Sequence, residues 1–341
     1  MRALITGAAG FIGSQLAYAL YKRNEKIVLL DNFSYGKEDN LIFEDVDFRK
    51  SVIKGDIRDK NLVSKIIENG IDYVYHIAGI APLPDCQSNP QEAIDVNVLG
   101  TVNMLEFSRQ FGVKAFIFAS TNAMYENETE FPTKEDSFLP PTLIYPNTKY
   151  AAESFCRSYA ITYGMNIACL RFANVYGPHI DCLRKQPPFV GYMIRELFFN
   201  RVPTFYSNGS QARDYIYVDD LIDLAVCVRS VVGFDAINVS SNRSISVNEM
   251  YKITQEIMEK DIPANFESPE KYWEKYPDLY KGKYRIKSEI LEHEVNKYSC
   301  CDNQKALECY GWQPQVDIVE GLSNVIQYTC KLLATLTAEE K

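Results

Sequence analysis

Apolar positions follow two rhythms through the first half of the chain. Short unbroken apolar runs at residues 2–6, 27–30, 51–54, 73–78, 115–121 and 166–171 suit strands of a parallel sheet covered on both faces. Between them apolar residues recur three and four apart, as in Phe11, Ile12, Leu16 and Leu20. That spacing predicts helices over 11–22, 61–68, 91–111 and 146–163. Strand and helix in alternation predict an α/β fold, a Rossmann-type doubly wound parallel sheet. The alternation stops near residue 180, where shorter elements, more aromatics and several loops begin. We expect a domain over 1–178 and a smaller α/β C-terminal lobe over 179–341, with segments near 216–240 returning to the first. A cleft between the two would hold a ligand.

Chemistry enters at the first turn. Gly7-Ala-Ala-Gly10-Phe11-Ile12-Gly13 joins the first strand to the first helix, and the second strand ends at Asp31-Asn32. Gly7 permits the tight turn, Gly10 lets backbone approach a pyrophosphate, and Gly13 lets helix and strand pack closely. The helix start offers free N–H groups and a positive dipole end to phosphate. Asp31 can accept two ribose hydroxyls and would repel a 2′-phosphate, and no Arg follows it, so NAD is expected rather than NADP. Asp56 and Ile57 follow the third strand; Asp56 reads either as an acceptor for an adenine amino group or as the N-cap of helix 61–68. Ala78 ends the fourth strand beside Gly79, small enough for a cofactor to lie against. Asn97 and Gly100 interrupt helix 91–111 and predict a close approach to a strand or ligand.

The chain has 341 residues and a net charge of −9 spread along it, which argues against nucleic-acid or anionic-membrane partners. Its first strand starts at Met1 and no apolar run is long enough to span a bilayer, so a cytoplasmic protein is expected. Nine cysteines without metal-like spacing read as reduced thiols, and three separated histidines argue against a metal site. His76 reads as a packing residue.

Tyr145 and Lys149 stand one helical turn apart, and Ser120-Thr121 ends the fifth strand. A free phenol has a pKa of about 10, too high for a base at neutral pH. A neighbouring ammonium and an oxidised nicotinamide would favour the phenolate. A Tyr-x-x-x-Lys pair alone is usually a solvated helix face. Its place after a dinucleotide turn and a Ser-Thr strand end reverses that reading.

Together Gly7-x-x-Gly10-x-x-Gly13, Asp31-Asn32, His76-Ile-Ala78, Asn97-Val-Leu-Gly100-Thr101, Ser120-Thr121, Tyr145-x-x-x-Lys149 and Arg171-x-x-Asn174-Val-Tyr-Gly-Pro resemble an extended short-chain dehydrogenase/reductase. The nearer resemblance is to the NAD-dependent nucleotide-sugar epimerase/dehydratase group, and it continues through Arg213-Asp-Tyr-Ile-Tyr-Val-Asp-Asp220 to Gly311-Trp312. The resemblance implies that Tyr145 takes a proton from a sugar hydroxyl at C4, with NAD accepting hydride to give a 4-keto sugar. Lys149 would hold the nicotinamide ribose and lower the phenol pKa, and Thr121 would bridge sugar and Tyr145. Asn174 and Arg213 would bind the nucleotide diphosphate, though Arg213 could instead pair with Asp214. Helices 91–111 and 146–163 would pair across a two-fold axis in a homodimer.

The family's dehydratases and decarboxylases carry an acid one or two positions beyond the Ser/Thr. Here those positions are Asn122 and Ala123, which favours 4-epimerisation, with Asn122 a sugar contact. Glu126 reads as a displaced acid or as a solvated loop residue, and Asp85 and Cys86 are further candidate acids, so a 4,6- or 5,6-dehydratase or a 4-oxidase stays open. An NAD-binding redox sensor is a third class, opposed by the intact Thr121, Tyr145 and Lys149. Phe205 or Tyr206 could stack a base. The aromatic, charged insertion 266–297 offers Arg285 as a second diphosphate contact.

Overall fold

The computed structural model describes residues 1–137 and 139–339. Strands β1 (Arg2–Thr6), β2 (Lys26–Asp31), β3 (Val52–Lys54), β4 (Tyr73–His76), β5 (Ala115–Thr121) and β6 (Ile167–Phe172) form in the expected order. Every residue of β5 and β6 is buried, as their unbroken apolar runs require of central strands. After β7 (Asn174–Tyr176), β8 (Thr204–Tyr206) and β9 (Ala212–Tyr217), the chain returns as β10 (Phe234–Val239). The resulting seven-stranded parallel sheet runs β10-β6-β5-β4-β1-β2-β3. One hydrophobic core fills each face of it, a Rossmann-type α/β architecture.

Local chemistry sets the helix ends. Asp59 caps helix Lys60–Glu68 by accepting from the backbone N–H groups of Asn61 and Leu62, and Gly164 at φ +71° ends helix Ile144–Tyr163. The cap at Asp59 removes one reading of Asp56. Helix 91–111 is not uniform. It is assembled from Pro90–Ile94, a π-helical stretch Asp95–Gly100 and Thr101–Gln110, and the wide turn holds Asn97 and Gly100. The proline-rich stretch expected as a loop carries a short helix, Leu83–Ser88.

The C-terminal lobe has a third core, built on a sheet of β11 (Ser244–Ser246), β9 and β7, with helices Phe189–Phe198, Val247–Met258 and Ile318–Glu339 against it. The insertion opens with β12 (Asn265–Glu267), which pairs with β8. It makes a core of its own in which Trp273 is fully buried with Leu279 and Leu291, packed against Leu83 of the short helix. Among the described residues no helix is long and apolar enough to cross a membrane.

Candidate active site

The expected cofactor residues gather at the C-terminal ends of β1, β2, β4 and β5, where open α/β sheets take ligands. Gly7 has φ +70°, and a Cβ on it would lie 2.8 Å from Ala78 N, so any side chain would separate the turn from β4. A Cβ on Gly13 would fall 2.0 Å from Gly7 O, which holds the helix against the turn. Gly10 caps the helix from Phe11 with no side-chain hydrogen bond, leaving N–H groups of the first turn for an anion. Phe11 packs into the C-terminal lobe's core, while Ile12 reaches the cleft.

Asp31 is buried, accepting from Ala9 N (2.9 Å) and Phe33 N (2.7 Å), one donor per oxygen. Each oxygen keeps a lone pair, as two ribose hydroxyls require. Asp56 does not: its oxygens accept from Arg58 N, Nε and Nη2 and from Asn32 Nδ2, all within 2.9 Å. Four donors fill a carboxylate, so Asp56 is no free acceptor for adenine. The Arg58 guanidinium holds it at about 2. Ile57 is buried against Gly100, where a Cβ would approach its Cδ1 to 2.5 Å. Asn97 accepts from Ile80 N (2.8 Å) and donates to Ile80 O (3.0 Å) and Thr148 Oγ1 (3.0 Å), pinning the strand-end loop to the long helix. The residues present fit a dinucleotide.

Tyr145 hydrogen-bonds the Thr121 side chain. Lys149, buried beneath them, donates to Ala119 O at 2.9 Å rather than to the phenol, which corrects the expected lysine–tyrosine coupling. Burial dominates both groups, lifting the phenol to about 12 and lowering the ammonium to about 8. Ser120 donates to Glu153 (2.7 Å), itself ion-paired with buried Arg171, so Thr121 is the hydroxyl free for chemistry. His76 lies between Thr6 Oγ1 (2.8 Å) and Thr101 Oγ1 (3.0 Å), a satisfied core residue.

Thr121, Asn122, Tyr145 and Asn174 line a cavity of about 300 Å³. Asn174, Arg213 and Tyr206 line a second of about 460 Å³. Asn174, Val175, Arg213 and Glu294 border both, so the two form one bent cleft. Arg213 donates only to carbonyls, Ala212 O (3.2 Å) and Glu294 O (2.9 Å) among them, and makes no pair with Asp214. Asp214 is buried and accepts from Ser241 N and Cys301 N instead. A guanidinium with no carboxylate partner at the junction suits a diphosphate.

Several expectations are corrected here. Arg285 is exposed and lines neither cavity; Arg184, Lys185 and Lys275 supply the basic rim. Asp85 accepts from Tyr35 (2.8 Å), and Cys86 is buried toward Ile80 O with its thiol pushed up to about 12, so neither is an acid facing the sugar cavity. Glu126 is not a solvated loop residue. It is buried, accepts from Thr142 N and Leu143 N just before the long helix, and borders the first cavity. Phe205 is core, packed on Phe189 and Tyr251, and only Tyr206 faces the second cavity. Glu294, Lys297, Ser299, Cys300 and Cys301 border the first cavity and carry no spacing signal in the sequence.

Known proteins share this arrangement. The model of the NAD dependent epimerase/dehydratase family matches residues 3–239. A putative UDP-glucose 4-epimerase of Methanocaldococcus jannaschii is 29% identical over 95% of this chain and 97% of its own. UDP-glucuronic acid decarboxylase 1 of Arabidopsis thaliana is 26% identical over 96% of this chain and 69% of its own. The crystal structure of UDP-glucose 4-epimerase from Thermotoga maritima with UDP-glucose superposes with a TM-score of 0.85 at 28% identity, covering 98% of this chain and 100% of that one. Motif, fold and cleft agree, and the chain belongs to the NAD dependent epimerase/dehydratase family.

Proposed function

We propose that the protein is an NAD-dependent UDP-sugar 4-epimerase working through a transient 4-keto sugar. One observation carries this reading: the Thr121–Tyr145 pair faces the sugar cavity, while Asn122 and Ala123 follow it and Asp85 and Cys86 turn away. The common oxidation set is present without the usual elimination acids. When bound, NAD supplies the redox chemistry, taking hydride from sugar C4 and returning it to the other face.

Tyr145 takes the proton of the C4 hydroxyl and gives it back after the keto sugar turns, while Thr121 orients that oxygen by hydrogen bonding. Lys149, released from Ala119 O, holds the nicotinamide ribose and favours the phenolate. Gly79 leaves it space, since a Cβ there would lie 3.1 Å from Nζ. The first-turn N–H groups hold the pyrophosphate, and Asp31 the adenosine ribose. Arg213 and Asn174 hold the nucleotide diphosphate, and Tyr206 packs on the base.

Glu126 favours a second reading. A buried carboxyl, raised by burial and bordering the sugar cavity, could exchange a proton in a dehydratase. Proton NMR of UDP-glucose with enzyme and NAD in heavy water separates the two. Epimerisation gives a new anomeric signal at constant total sugar, with no deuterium at C5 or C6. Glu126→Gln, which keeps an acceptor for Thr142 and Leu143, should change that rate less than about threefold. Deuterium entry, or activity abolished by Glu126→Gln, would favour elimination.

A further inference from the structure

The nucleotide cavity contains two side-chain amides that the protein leaves incompletely paired. Gln186 has both Nε2 and Oε1 buried without a hydrogen bond, the one carboxamide so placed among the described residues. Gln211 donates from Nε2 to Tyr206 O at 2.7 Å, yet its buried Oε1 has no partner. Buried carboxamides otherwise pair almost without exception, because nothing else replaces the water they lose. Both residues border the second cavity, beside Tyr206 and Tyr272.

The segment carrying Gln186 is held firmly. Arg184 Nε donates to Gln186 O at 2.7 Å, and Pro187 and Pro188 fix the backbone into helix Phe189–Phe198. Lys185 Nζ donates to Lys275 O at 3.1 Å, tying the segment to the insertion. The amide head is therefore placed with little conformational freedom left to lose on binding.

The remaining bonding capacity is specific. With Nε2 of Gln211 committed, its Oε1 can only accept, whereas Gln186 offers one donor and one acceptor side by side. The complement is a ring N–H next to a carbonyl. Uracil and thymine carry that imide at N3, between two carbonyls. Cytosine presents an acceptor at N3 and an amino group at C4. Tyr206 and Tyr272, edge to face with centroids 5.4 Å apart, supply ring faces for a flat pyrimidine.

We propose that Gln186 and Gln211 read the base of the nucleotide sugar, selecting an imide-bearing pyrimidine, uracil or thymine, over cytosine. The proposal rests on the nucleotide-sugar reading above. Titration calorimetry of the NAD-loaded protein with UDP, dTDP and CDP tests it, and the tighter of UDP and dTDP identifies the base. Wild type should bind UDP or dTDP at least roughly tenfold more tightly than CDP. Gln186→Leu should erase most of that ratio while melting no lower than wild type, since the removed amide pairs with nothing in the protein. Gln186→Glu, similar in shape but able only to accept, should move the ratio further toward CDP. A ratio unchanged in both variants, with UDP-sugar turnover retained, overturns base reading alone. A lower melting temperature with an unchanged ratio makes Gln186 structural and overturns it as well. If wild type binds none of the three nucleotides, the nucleotide-sugar reading falls too.

Discussion

Tyr145 shows how far burial and charge pull a single group apart. Its phenol is lifted to about 12, while the ammonium of Lys149 donates to Ala119 O, so the base form at neutral pH requires roughly 7 kcal/mol of differential stabilisation. A cation on the phenol's side can supply it; the lysine as placed does not. Tyr145→Phe should therefore lower kcat by roughly 10²- to 10⁴-fold, with UDP affinity close to wild type. Steady-state kinetics with UDP titration check this, and a variant that lost affinity but kept kcat would make Tyr145 a binding group. Thr121, Tyr145 and Asp31 were legible because motif position fixes the strand end or helix face they occupy. Glu126, Asp85 and Cys86 were not, since a loop residue's direction depends on what it packs against. Glu126 turned inward to two backbone N–H groups, and Asp85 outward to Tyr35.

Elements divide in the same manner. Glycine spacing announced the first turn, because a positive φ and the approach of Ala78 exclude any side chain there. Asn97 and Gly100 signalled a disturbed helix, but its π-helical form depends on Ile80 and Ile57 across the gap. The insertion was visible only as a composition. Its function as a wall of the nucleotide cavity comes from Trp273, which anchors the segment carrying Tyr272 and Lys275. Trp273→Ala should cost roughly 3–5 kcal/mol of local stability. The expected result is faster proteolysis within 266–297 and a raised KM for UDP-sugar with kcat within about twofold. An unchanged KM would show that the insertion does not shape the site.

At the scale of the whole molecule, acid should destabilise the fold partly through His76. Burial holds its folded pKa at about 3, below the usual 6.5, so between those values the unfolded chain binds the extra proton. That stability is complete above about pH 6.5 and is lost as pH falls toward 3, amounting to about 2 kcal/mol at pH 5. His179, lowered by burial to about 4, acts in the same direction. Asp214, raised by burial to about 6, opposes them below that pH. In His76→Gln the drop in urea midpoint from pH 7 to pH 5 should be smaller than in wild type by that amount. Equal drops would place the acid sensitivity elsewhere.

The sequence by itself determined the alternating sheet, the dinucleotide turn and the Thr121–Tyr145–Lys149 set, because those follow from periods of two and 3.6 and from rules within one strand–turn–helix unit. Tertiary structure alone decided that β10 completes the sheet, that Arg213 faces the cleft junction without a carboxylate, and that Gln186 and Gln211 share a cavity. These are contacts between segments distant along the chain. They arise when the C-terminal lobe buries its own core over the strand ends, and no local period of hydrophobic and polar residues encodes which polar groups that burial leaves unpaired.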